Sequence, residues 1–277
     1  MTYRYEPVAA ALRERIEGGD WEPGRKLPSG NELAEEFRVG LGTVRQALAE
    51  LAAAGLVAQR QGSGTYVSRP PVPRRLQDSR YIWEKKRALL PEEERRKTGA
   101  TERDTGLQMS DLEFPPAQYR PTVATAELAE LFSIEVGAKL LERVYRTFQK
   151  GATSPFSIGT SFLRYDLIES NPDLLNSERE PWPGGTLHQL GTVNIEVDKI
   201  VDTVTARPPT LAEAEQLEVR PGQPLLCTRK VSYDSEGRVV EVAYTRTPGD
   251  RLELTYTTQL PRWSDLDPDE VMRELAD

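Results

Sequence analysis

The chemistry-bearing residues nearest the start of the chain are Thr43, Arg45 and Gln46, in the run Val39-Gly40-Leu41-Gly42-Thr43-Val44-Arg45-Gln46. Val44, Leu48 and Leu51 recur at helical spacing and define a buried stripe, so Thr43, Arg45 and Gln46 project from other faces. A guanidinium fork matches the two acceptors of guanine, a glutamine amide suits adenine, and a threonine hydroxyl or methyl reaches a phosphate or a thymine. Gly40 and Gly42 put no bulk at the tip of this helix, where free backbone amides favour an anion. Such a tip can press against a nucleic-acid backbone. The competing reading is a helical hairpin with a loose turn that serves as a protein-interaction module.

The elements that must hold these residues follow from the surrounding pattern. Val8, Leu12 and Ile16 mark one stripe of a helix over 5–18, ended by Gly18-Gly19, and Trp21-Glu22-Pro23-Gly24 forms a turn. Ser29 with Glu32 makes a capping box for a second helix that buries Leu33, Ala34 and Phe37. The third helix runs from about Leu41 to Ala54, with Gly55 as its C-cap. Residues 56–60 and 65–67 read as strands around the turn Gln61-Gly62-Ser63-Gly64. Three helices and a slim hairpin make a winged helix-turn-helix, whose third helix enters the major groove. The hairpin tip, Gln61, Gly62 and Ser63, is narrow enough for a minor groove or a phosphate ridge.

Composition is consistent with this. At 277 residues two domains are expected, and 38% hydrophobic with 29% charged residues describes an ordinary globular protein. No apolar run spans a membrane, the start lacks a signal-peptide pattern, and one cysteine gives neither disulfide nor metal cluster. A cytoplasmic protein is expected. The net charge of −8 is uneven: residues 1–69 hold nine Lys/Arg against nine Asp/Glu, leaving 27 against 35 in the remainder. A neutral domain attached to an acidic one leaves room for a local basic face.

Residues 70–104 read as a linker with room for some helix, stiffened by Pro70, Pro71 and Pro73 and carrying mixed charge clusters at 74–75, 85–87 and 92–97. Beyond it, helices are expected at 125–131 and 210–217, hairpins at 140–149 with 154–163 and 224–233 with 239–246, and a last strand at 252–260. Helices mixed with antiparallel hairpins give an α+β domain over 105–277. It offers little catalytic material. His188 is the one histidine, Cys227 lies in an apolar strand-like run, Glu213 and Glu215 read as a solvated helix face, and Gly184-Gly185 is a turn signal. No cofactor and no metal ligand set is expected.

Three stretches, LPSGNELAEEF, TVRQALAELAAAGLV and RQGSGTYV, resemble the signature of the GntR family of bacterial transcription regulators. The resemblance implies operator contacts by Thr43, Arg45, Gln46 and Gly62. The chain departs from the family pattern at Gly30-Asn31, usually Glu-Arg, and at Gly40-Leu41, usually Ser-Arg. Asn31 keeps polar contacts but no charge, so a lower electrostatic affinity is expected. Further on, SFLRYDL, ARPPTLAEAEQLEVRPGQPLL and YDSEGRVVEVAYTRTPGDRLEL look like the UTRA effector-binding domain of the HutC branch, whose fold resembles chorismate lyase.

That second resemblance implies that Arg143 or Arg146 holds an anionic group of a small effector, that Ser161 lines the pocket, and that Glu241 binds a hydroxyl or amine. The expectation is a ligand-responsive repressor that binds a palindromic operator as a homodimer. An alternative is a chorismate-lyase-like enzyme carrying a DNA-binding appendage; another is a module that binds a second regulator.

Overall fold

The computed structural model describes residues 5–60, 63–68, 73–77, 79–152, 154–219, 222–260 and 262, the side chains of Gln59 and Arg60 excepted. Helix α1 (Glu6–Glu17) starts with a proline in its first turn, where the missing N–H costs nothing. Helix α2 (Gly30–Glu36) has the full capping box: Glu32 N–H donates to Ser29 Oγ, and Ser29 N–H donates to the Glu32 carboxylate at 2.6 Å. These bonds hold the Glu32 carboxyl below its usual range. Ser29→Ala is expected to cost about 1 kcal/mol, seen as a lower urea midpoint with an unchanged slope.

Helix α3 (Leu41–Ala53) packs against α2 and buries Val44, Ala47, Leu48 and Leu51. Ala54 forms its C-cap, and Gly55 takes the left-handed conformation just beyond it (φ 76°). Strands β1 (Val57–Arg60) and β2 (Gly64–Val67) pair antiparallel, Val57 opposite Val67. Leu12, Leu33, Val44 and Leu51 are the sealed centre of this domain. Arg15 ties the corner, stacked over Trp21 and bonded to Glu36 at 2.7 Å.

The interdomain segment is more ordered than its composition suggests. It contains β3 (Arg74–Gln77), α4 (Arg80–Ala88), α5 (Glu92–Arg96) and α6 (Ala100–Thr105). Its arginines bind backbone carbonyls and buried carboxylates: Arg87 donates to the carbonyls of Arg95 and Thr98, and Arg95 to that of Pro183. Tyr81 donates to Asp202 at 2.7 Å and Lys85 pairs with Glu196, so α4 is fixed to the larger domain.

That domain continues through β4 (Leu112–Glu113), β5 (Gln118–Val123), α7 (Ala126–Phe132), β6 (Lys139–Gln149), β7 (Ser157–Arg164), α8 (Tyr165–Ile168), α9 (Gly185–Gly191), β8 (Val197–Arg207), α10 (Leu211–Leu217), β9 (Leu225–Asp234), β10 (Val239–Pro248) and β11 (Leu252–Thr255). One antiparallel sheet runs β6-β7-β10-β9-β8, with β5 and β4 sharing the outer edge of β6. Helix α7 seals one face on Leu140, Val231 and Val242, and α10 joins it on that face over Ile158 and Leu225. The opposite face carries Leu141, Leu163 and Val240 under α8 and α9. The last strand is shorter than 252–260 and leaves the sheet: β11 pairs in parallel with β3, Leu252 opposite Arg74. Cys227 is half-buried against the α10 cluster. Glu213 is no solvated surface carboxylate: it closes the capping box of α10 and binds Arg207 and Arg246.

Candidate functional site

Two surfaces carry the candidate residues. On the first, Gly40 is the N-cap of α3 with no side-chain cap, and a Cβ added at Gly40 or Gly42 would meet no atom within 4 Å. Packing inside the protein therefore does not demand either glycine. Arg45 and Gln46 are exposed and Thr43 half-buried along the start of α3. Among the described residues Arg45 has no ion-pair partner, so its guanidinium faces solvent with all its donors available.

Asn31 is exposed on α2. Leu41 does not reach outward as an arginine would. A Cβ on Gly30 would lie 3.0 Å from Leu41 Cδ1, so the glycine at 30 makes room for the leucine at 41. One residue of each departure, Gly30 and Leu41, thus meets the other in packing, while Asn31 and Gly40 stay outside that contact. Ser63 is exposed at the hairpin tip with its hydroxyl 2.6 Å from the Tyr66 hydroxyl; Gln61 and Gly62 lie outside the described residues. Sequence reasoning passed over two exposed cations at this end: Arg38, in a left-handed turn (φ 54°) between α2 and α3, and Lys26, whose stem lies against Gly64 of the hairpin.

The second surface is a cleft on the α9 face of the sheet, with a volume of about 220 Å³. Register builds it. Arg143 lies opposite Ser161, Ser161 opposite Ala243, and Ala243 opposite Lys230, while Glu241 lies opposite Ser232. Alternate residues of four strands thus face one side. Ser161, Glu241 and Lys230 line the cleft with Tyr145, Thr186 and Arg74. Arg143 lies beneath this lining at 1% exposure. Its guanidinium donates to Gln189 at 2.7 Å, Ser161 at 2.8 Å, Thr186 at 3.3 Å and Glu241 at 3.0 Å.

Glu241 accepts from Ser161 at 2.7 Å and from Ser232, and pairs with Lys230 at 2.8 Å. Burial alone would raise its carboxyl, but the Lys230 and Arg143 charges and these hydrogen bonds outweigh it and hold it at about 2. Helix α9 supplies the back wall, since Gln189 bridges Arg143 to Glu180. Glu180 also accepts from the Tyr119 and Tyr145 hydroxyls. Burial pushes both phenols up, and both rings lie within 6 Å of the Arg143 guanidinium.

Arg143, Ser161 and Glu241 are therefore brought together, with Arg143 and Glu241 bonded to each other rather than facing across an open space. Arg146 is not part of the cluster. Three residues from Arg143 along one strand, it points to the other face, where it makes a long contact to Gln216 of α10. Lys230 was missed, although the alternation of β9 gave its facing once the register was known. His188 is structural: it accepts from Trp182 at 2.9 Å, and burial and Arg95 hold its imidazole below the usual range. Among the described residues no group of three His, Cys, Asp or Glu could hold a metal ion, and no helix is long and apolar enough to cross a membrane.

Comparison with known proteins joins the two surfaces. Residues 4–67 match the family model for bacterial regulatory proteins of the gntR family, and residues 117–253 match the UTRA domain. A helix-turn-helix transcriptional regulator of Streptomyces coelicolor is 27% identical over 93% of this chain and 93% of its own length. The transcriptional repressor NagR of Bacillus subtilis is 26% identical over 91% of this chain and 93% of its own. The crystal structure of a GntR-family regulator covers 94% of this chain and 99% of its own, with 25% identity and a TM-score of 0.54. These relatives are transcription regulators, not enzymes. The chain belongs to the gntR family of bacterial transcription regulators, in the branch that joins a winged helix-turn-helix to a UTRA domain.

Proposed function

We propose that this regulator acts in the cytoplasm as a homodimeric repressor, binds a two-fold symmetric operator, and is released by a small anionic effector held in the cleft. Arg45 carries the DNA half of the reading, as an exposed cation on the leading turn of α3 without an ion-pair partner among the described residues. Thr43, Gln46 and Asn31 are placed to add base or phosphate contacts, the backbone at Gly40, Leu41 and Gly42 approaches the phosphates, and Gln61, Gly62 and Ser63 form the wing contact. One helix-turn-helix per chain gains specificity by pairing, and the operator then mirrors the protein's symmetry.

The cleft supports the effector half. Its lining of hydroxyls with one carboxylate and two cations suits a small polar molecule carrying an anionic group and several hydroxyls. Ser161 and Glu241 meet the hydroxyls, while Arg143 holds both in position from beneath. A ligand changes operator affinity only through unequal affinity for the DNA-competent and incompetent arrangements. The repressor direction is supported by the name of the Bacillus subtilis relative.

Footprinting on the DNA upstream of the protein's own gene tests the reading. A symmetric pair of protected half-sites is expected. Arg45→Ala is expected to weaken specific binding by roughly 1–3 kcal/mol and to relax base preference at one position per half-site. An equal loss on every sequence would reduce Arg45 to a phosphate contact, and a single half-site bound by a monomer would remove the dimer.

A further inference from the structure

Among the described residues two cations line the cleft, and one of them belongs to the UTRA sheet. Lys230 is already bonded to Glu241 at 2.8 Å. The other, Arg74, comes from β3, the first strand after the DNA-binding domain, and lies outside residues 117–253. Its side chain reaches the cleft beside Ser157, toward which Nη1 points at 3.4 Å, and Thr147 and Thr101 stand next to it. Nη2 donates to Asp104 of α6 at 2.8 Å. Nε is buried with no hydrogen-bond partner. Arg74 thus combines a charge, an unused donor and neighbouring hydroxyls, a set that suits an incoming oxyanion.

Asp104 is 3% exposed and also pairs with Arg80 of α4, at 3.3 Å. If Arg74 turns to a ligand, Asp104 keeps Arg80, so no buried carboxylate is stranded. The exchange costs little on the protein side and cuts the side-chain bond between β3 and α6.

We propose that Arg74 takes the anionic group of the effector, exchanging Asp104 for it, and so makes the strand that leads from the DNA-binding domain part of the binding site. This rests on the reading of the cleft as the effector site and adds the element that senses occupancy. Ligand binding then acts on β3 directly, without passing through the sheet, and the anion is recognised at the end of the cleft away from Glu241. Arg143 serves the floor and leaves the anion to Arg74.

The test is calorimetric titration of the full chain with inorganic phosphate in the millimolar range, with amide exchange of residues 74–77 as a second readout. Phosphate is expected to bind and to change exchange in β3. Arg74→Gln is expected to lower phosphate affinity by about tenfold, and Arg74→Lys to retain part of it. Arg75→Gln, at an exposed neighbour paired with Glu253, should bind as the unaltered chain does. Asp104→Asn, which removes the competing carboxylate, is expected to raise phosphate affinity, a direction that damage to the fold would not produce.

Unchanged affinity in Arg74→Gln together with loss in Lys230→Gln would overturn the role of Arg74 and leave the cleft as the effector site. Absence of phosphate binding in both the unaltered chain and Asp104→Asn would overturn the role of Arg74 and the anionic effector together.

Discussion

Glu241→Ala is expected to destabilise the effector domain by roughly 3–5 kcal/mol, the usual cost of removing one partner from a buried ion pair. Glu241 is 2% exposed and Arg143 1%. Their mutual attraction, with Ser161, Ser232 and Lys230 as further donors, offsets the desolvation of both charges. Truncating Glu241 leaves the Arg143 guanidinium buried with no counter-charge beside it, and leaves Lys230 without its partner. Replacing both members, Arg143→Met with Glu241→Leu, is expected to cost much less than Glu241→Ala alone, because the sealed guanidinium is removed with its carboxylate and only the more exposed Lys230 loses a partner. Urea unfolding of the single and double variants checks this. Equal losses would show that packing volume, not charge, is what Glu241 contributes.

The same carboxyl gives a pH signature. Its folded value of about 2 lies below the ordinary 4.5, so the folded state binds its proton less readily than the unfolded chain. The stabilisation is therefore complete above the ordinary carboxylate range and is lost as the pH falls from 4.5 toward 2. Glu241→Gln should flatten the stability curve of the effector domain over that interval and leave its shape near neutral pH unchanged.

Leu33→Ala is the second large effect, at roughly 2–5 kcal/mol. Leu33 is fully buried where α2 meets α3. A domain of some sixty residues has little stability in reserve, on the order of 5 kcal/mol, so one such cavity uses most of it. Operator binding should disappear near body temperature while the effector domain keeps its own melting transition and its ligand. A variant that still binds the operator with unaltered affinity would show that the side chains around Leu33 close the gap.

The DNA-binding domain was legible because its signals are local. The apolar stripe of α3, the Ser29–Glu32 box and the Gly55 stop each lie within a few residues of what they specify. The two central hairpins were legible for the same reason. Strand β8 was not, because most of its side chains are exposed at a sheet edge and it shows no apolar face. Some helix was read into the linker, but the bounds of α4 and α5 were not, because what fixes them is arginines bonded to carbonyls of distant residues. In the cleft, Ser161 and Glu241 were reached through family resemblance. Lys230 and Arg74 depend on strand register and on the pairing of β3 with β11, which no local pattern encodes. Arg146 could have been excluded at the outset, since a separation of three along a strand reverses the face.

The parallel pairing of β3 with β11 sets a leash. The end of the effector domain holds Arg74–Gln77 in register, and the winged domain ends at Val67, so residues 68–73 are all that join them. Fully extended, that connection spans about 24 Å at most. The winged domain is therefore confined to a short radius around its anchor, and in the proposed homodimer the two anchors would bound the half-site separations that can be bridged. Lengthening this tether by a few flexible residues should broaden the range of operator spacings tolerated and weaken the ligand's hold over them, with no contact to DNA or effector altered.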